Sequence, residues 1–259
     1  MRGASTSPFQ APGAADSSVE NQGSITTHGA NSFGMRVDTR STGTNSGSIA
    51  TEGAGADGMW AGFDSIVTNT VSGDIVTSGG GAHGMVATNV SSADNSGSIT
   101  TNGDNAFGML AETDSFATNS GTIVTNGMGS HGMVASADSE AVNSGSITTN
   151  NFNSNGMLAT DQSSVTNSGS ITTNQVGSWG MSAEDNSTAL NTATGTIMVY
   201  GNWSRGGMNA ADHSYAENNG TIEIHTNNQG AGMGATANSS AVNKGTIETF
   251  GGVSPGMEA

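Results

Sequence analysis

Cysteine is absent from this 259-residue chain, so no disulfide holds it together and cysteine usage says nothing of its redox compartment. Basic residues are scarce as well. Arg2, Arg36, Arg40, Arg205 and Lys244 stand against 21 acidic residues, for a formal net charge of -16. Cations this sparse do not make the clustered surface that phosphate contacts or an anionic bilayer require, which speaks against nucleic-acid and membrane-surface partners. Aromatic residues reach only 5% and hydrophobic ones 33%, much of that alanine, too little for a thick globular core. No run approaches the ~18 apolar residues of a membrane span. The opening stretch, MRGASTSPFQAPGAAD, holds no apolar segment of a signal peptide. Low hydrophobicity with high net charge is a composition of disorder, but strict periodicity argues against disorder here.

What the chain has in abundance is a repeat. Gly-Met pairs place methionine at 35, 59, 85, 109, 133, 157, 181, 208, 233 and 257, and six of the nine intervals are 24 residues. A Gly-x-Ile column runs from Ile25 through Ile99 and Ile123 to Ile247. Asparagine stands ten residues after each methionine but the last, from Asn45 to Asn243, with Asn21 opening the series, and serine stands four residues before each asparagine. Within the unit, Met and Ala, then Ser, Ala/Val and Asn, then Gly, Ile and Thr step by two. Period two means strands, because successive side chains point to opposite faces. Glycine and Asn/Ser/Asp clusters cut each unit into three such runs, and the glycine content disfavours helix.

Three short strands per ~24-residue unit, repeated about ten times without helices, predict a parallel β-solenoid with one rung per repeat. The crossover preference makes it right-handed. Met, Ile, Ala/Val and Thr then point inward, the asparagines ladder at a corner, and the glycines are expected to supply positive φ at the corners. The longer intervals fall at corners: Asn69 to Gly73 and Asn191 to Gly195 span four residues where two are usual. Residues 14–259 read as one solenoid domain and residues 1–13 as a flexible arm.

The phrase NSGSITTNGDNAFGMLAETDSFATNSGTI, residues 95–123, resembles repeats in the passenger regions of bacterial autotransporter adhesins, secreted by the type V route. The resemblance covers roughly residues 14–259. It implies a right-handed β-helix with an adhesive or structural role, at the bacterial surface or outside the cell.

Outward-facing columns supply the candidate sites. The residue after Gly-Met is apolar in five successive rungs, Trp60, Val86, Leu110, Val134 and Leu158, and two positions before Met stand Phe107 and Trp179, with Phe33, His83 and His131 in the same column. Such a stripe marks either a contact surface or a seam covered by a loop or flanking segment. Asp114, Asp138 and Asp161 lie on adjacent rungs, where oxygen ligands could hold Ca²⁺; Asp before Ser is also a favoured turn pair, and the turn reading is preferred. No other cofactor is expected. His83 and His131 are two rungs apart, too far to share a metal. Regular hydroxyls such as Ser98 with Thr100 and Ser146 with Thr148 suggest ice binding by analogy, interrupted by Asp74, Glu223 and Glu248.

The first strand, at Ser17, Val19 and Asn21, and the last residues, Met257 and Ala259, stand in matching phase. They are candidate assembly ends for head-to-tail filaments, since exposed strand edges invite stacking. The expected function is non-enzymatic: a structural or adhesive solenoid at the cell surface or in the matrix, partnering itself, a surface or a glycan. The alternative is an ice-binding or carbohydrate-binding module.

Overall fold

The computed structural model describes residues 16–201, 203–226, 230–250 and 252–259. Its first rung consists of β1 (Ser18–Asn21), β2 (Ser24–Thr27) and β3 (Met35–Asp38). The same trio recurs along the chain, so that the described strands form three parallel sheets of ten strands each. Every strand pairs with its equivalent one repeat later: Asn95 opposes Asn119, Ile99 opposes Ile123 and Met109 opposes Met133. There is no helix among the described residues, hence none long and apolar enough to cross a membrane. The all-β parallel solenoid expected from the repeat is the fold that forms. The arm expected over residues 1–13 lies outside the described residues.

Alternation decides what lies inside. In the strand Ser98–Thr101, Ile99 and Thr101 are buried while Ser98 and Thr100 lie half-buried on the outer face. Met109, Ile99, Ala111 and Ala117 belong to one continuous core built from identical columns. Each rung buries few side chains but shares two interfaces, so stability is a property of the stack. The inward threonines close the corner after the second strand: Thr101 Oγ1 donates to the carbonyl of Ala106 at 2.8 Å, and Thr149 Oγ1 to that of Ser154 at 2.8 Å.

Backbone hydrogen bonds between rungs continue through the corners, the Ser120 N–H donating to the Asn95 carbonyl at 2.8 Å, and side-chain ladders add to them. Asn95 Nδ2 donates to Asn119 Oδ1 at 2.7 Å, Asn119 to Asn143 and Asn143 to Asn167 at 2.8 Å. The ladder starts at Asn21 and ends at Asn243. Where two residues are inserted, the loop bulges outward, and Asn69 Nδ2 still reaches the carbonyl of Gly73 at 3.2 Å. At the next corner the serine column is buried, with the Ser115 N–H donating to Ser139 Oγ at 3.1 Å and the Ser139 N–H to Ser163 Oγ at 3.0 Å.

The glycines meet the expectation at one corner, where Gly55, Gly81, Gly129 and Gly177 take φ of 63–77° after the second strand, and depart from it elsewhere. The left-handed turn after the third strand is made mostly by other residues, such as Thr113 and Asp114 (both φ 57°) or Ala137 (54°) and Asp138 (61°). Gly103 and Gly108 are required because rungs approach closely: a Cβ would lie 1.9 Å from the Gly79 carbonyl oxygen or 2.3 Å from Ile123 Cγ2. In this respect the columns of glycine report stacking distance rather than turn geometry.

Candidate functional site: the outer seam and its open end

The chain bends at each Gly-Met step. Gly108 faces Ile123 in the core and Met109 also points inward, which leaves Phe107 and Leu110 together on the outside. Stacked over several rungs, these two positions form a seam. Val86, Leu110 and Val134 make a cluster of their own, separate from the core, against which Trp60, Phe107 and Leu158 pack. His83, Phe107 and His131 stack successively, with ring centroids 4.8 and 5.2 Å apart. Upstream, the Arg36 guanidinium lies 4.5 Å over the Trp60 ring.

This placement shows how much of the candidate contact stripe is exposed. The stripe does face away from the core, but Val86, Leu110 and Val134 are only 4%, 7% and 4% exposed and Trp179 8%. The aromatic column two residues before Met folds over the column one residue after it, so most of the stripe is buried by its own neighbours. Trp60, Phe107 and Leu158 keep partial exposure. The seam is therefore chiefly a second packing layer. The Ca²⁺ candidates fare similarly. Asp114, Asp138 and Asp161 are exposed at left-handed turn positions, and among the described residues no three His, Asp or Glu side chains converge as a metal site. Of the candidate ends, Asn21 is buried at the start of its ladder, the Ser17 carbonyl accepts the Thr42 N–H at 2.8 Å, Val19 and Met257 are about half-exposed, and Ala259 is exposed.

Sequence reasoning treated the column two before Met as aromatic and overlooked its polar role. Asp57 Oδ1 accepts the His83 N–H at 2.7 Å, His83 Nδ1 the Phe107 N–H at 2.9 Å, His131 Nδ1 the Asn155 N–H at 2.9 Å, and Asn155 Oδ1 the Trp179 N–H at 2.9 Å. Each side chain serves as the acceptor for the rung above. Burial pushes the Asp57 carboxyl up to about 7 against the opposing pull of the His83 N–H, with the Glu112 charge adding to the rise. Burial pushes both His83 and His131 down to about 4. The neutral imidazole is the form that leaves Nδ1 free to accept.

Past Trp179 the seam changes character. Small or polar residues stand there, Ser182 in the same rung and Gly206, Asn209, Ala231 and Gly234 in the next two. The Trp179 ring lies along the space they leave, so that a Cβ on Gly206 would come within 2.6 Å of it and one on Gly234 within 3.3 Å. A cleft of about 550 Å³ remains, lined by Trp179, Trp203, Ser204, Arg205, Pro255 and Glu258 among others. A smaller one of about 240 Å³ lies along Trp179, Asn209 and Glu258. An irregular backbone shapes the rim. The N–H groups of Arg205 and Gly206 both point to the Ser178 carbonyl, at 3.1 and 3.5 Å, while Gly206 pairs in register with Trp179. Arg205 is thus an extra residue, a β-bulge of the kind that re-aims a side chain. Gly206 sits at φ 151°, which only glycine adopts readily. The signal for this was present in the 27-residue interval from Met181 to Met208, of which the Asn191 corner explains two residues and leaves one over.

The architecture is that of a parallel β-helix repeat domain. The chain belongs to the family of the BigA third pectate lyase-like domain, whose family model matches residues 57–195 and again residues 157–257. Two overlapping matches suit a repeat that can be laid on itself in more than one register. No curated protein and no solved structure matches the chain.

Proposed function

We propose that this chain is a non-enzymatic structural and adhesive β-helix of the bacterial cell surface or its matrix, in the manner of type V passenger domains. The observation that carries the reading is the unbroken register of three parallel sheets over ten rungs, which makes a stiff spacer about 45 Å long at strand spacing. Membership of a β-helix family supports it, the pectate lyase-like name describing the fold alone. The buried titratable groups of the seam, Asp57, His83 and His131, are each engaged by a backbone N–H, which favours a scaffold over acid–base chemistry. The charge of -16 keeps such rods apart until a specific contact forms.

Self-association belongs to the same proposal. The two terminal rungs present core columns to solvent, Val19 and Ile25 on one and Ile247 and Met257 on the other. Whatever flanks this segment in a longer chain, the isolated domain stacks head to tail through these faces. Electron microscopy of the purified chain tests stacking, with rods joined end to end as the supporting result and dispersed ~45 Å rods at high concentration as the contrary one. Attachment of chain-coated beads to cells and abiotic surfaces tests adhesion; beads that attach no better than albumin-coated ones sink it.

A further inference from the structure

The seam's open end has features that packing does not explain. Trp203 is 56% exposed and sits at φ 63°, in the left-handed turn position that Asn105, Gly129, Asn153 and Gly177 hold in the four preceding rungs. In the four preceding rungs that position is held only by asparagine or glycine, the residues that adopt it most readily, so a tryptophan there is uncommon. The carbonyl of Trp203 accepts the Gly177 N–H at 3.2 Å, whereas in the preceding rungs the equivalent donors Asn105, Gly129 and Asn153 reach the carbonyls of Met128, Phe152 and Val176, one position earlier in the turn. Met128 and Phe152, one position earlier in the same turn, are also about half-exposed.

Arg205 is the second such feature. In a chain of five basic residues, Arg36 pairs with Asp38, Arg40 with Asp16 and Lys244 with Glu217. Arg205 is exposed and has no carboxylate partner among the described residues. A bulge that inserts one residue places it on the cleft beside Trp203, with Glu258 also on the cleft wall. Bulges and residues in sparsely populated backbone regions cluster at functional sites, and here both meet an exposed arginine at one concavity.

We infer that the Trp203–Arg205–Glu258 cleft binds a terminal hexopyranose of a neutral saccharide. The inference deepens the adhesive reading and rests on it for its biological meaning. An exposed indole offers a flat apolar plane for the C–H face of a pyranose while its edge stays wet. Arg205 supplies a planar fork of donors, and Glu258 a two-oxygen acceptor, for paired ring hydroxyls. An aromatic wall with a few placed polar groups in a cleft of this volume is the usual make-up of a small-molecule site. The charge of -16 disfavours acidic polymers, since one arginine does not offset the field of the whole rod.

The test is a panel of immobilised neutral oligosaccharides ending in glucose, galactose or mannose, followed by calorimetric titration of any hit. Trp203→Asn restores a residue suited to the left-handed turn, so the variant keeps its fold, checked by its unfolding midpoint. Binding that falls at least tenfold in Trp203→Asn and in Arg205→Gln supports the site. Absence of any neutral-glycan binding, capture of acidic glycans alone, or binding that survives both substitutions overturns it. The two readings fail separately. Beads that attach equally well with Trp203→Asn sink the cleft and leave adhesion standing. Glycan binding without attachment does the reverse.

Discussion

Nδ1 of His131 accepts the backbone N–H of Asn155 at 2.9 Å, one rung away. The ring must be neutral, with its proton on Nε2, for that bond to exist. Two imidazoles and a carboxyl therefore stand in for sheet hydrogen bonds along one corner, and their protonation is tied to the stacking of rungs.

The pH dependence follows from the shifts. His83 and His131 titrate near 4 in the folded chain and near 6.5 unfolded. The unfolded chain binds more protons between those values, so their contribution is full above pH ~6.5 and lost as pH falls toward 4. Asp57, raised to about 7 from 3.8, acts oppositely: its contribution is present below pH 3.8 and lost as pH rises through 7. Between pH 4.5 and 6.5 the histidines therefore raise stability and Asp57 lowers it, and the urea midpoints report the balance, each histidine contributing on the order of 1 kcal/mol after allowance for its part-exposed ring. His131→Asn keeps an acceptor like that of Asn155 and should lower the slope of midpoint against pH; an unchanged slope would contradict the assignment. Asp57→Asn should raise that slope.

The asparagine ladder is the next target. Asn143 donates to Asn167 Oδ1 and accepts from Asn119 Nδ2, fully buried. Asn143→Ala strands both neighbours and should cost about 2–4 kcal/mol. Asn21→Ala, with a neighbour on one side only among the described residues, should cost less. Equal losses in chemical denaturation would mean that the ladder is not a stacking device.

Close approach makes a sharp prediction for the glycines. Gly108→Ala places a methyl against Ile123 Cγ2 and 2.6 Å from the Gly132 carbonyl oxygen, and the backbone cannot yield without parting two rungs. A loss of about 3 kcal/mol or more is expected. Gly23→Ala meets nothing within 4 Å and should be nearly neutral. The pair is read by thermal unfolding of both variants.

Leu110→Ala tests whether the seam is packing or contact surface. Leu110 is buried against Phe107, Val86 and Val134, so truncation should destabilise by about 2–3 kcal/mol. A variant with native stability but lost adhesion would return the stripe to the role of a binding surface.

Much of this was legible in the chain itself. Ile99, Met109 and Asn95 recur at one phase and alternate by two with their neighbours, and both properties are local, so strands, rung length and inward columns could be read directly. The serine and asparagine columns pointed to corners for the same reason. The direction in which a corner folds is not local. Leu110 reads as outward, which is correct of its strand, yet only the bend at Gly108 brings Phe107 over it and buries it.

The sequence by itself determined the repeat, the strand periodicity, the stacked core and the acidic, cysteine-free surface, because each is set by spacing along one rung. Only the tertiary structure decided which outer columns cover each other, that Asp57, His83 and His131 take over backbone hydrogen bonds, and that one extra residue at Arg205 opens the seam beside Trp203. Those outcomes depend on atoms a full rung apart in sequence and one strand spacing apart in space, a distance that exists only once the rungs have stacked.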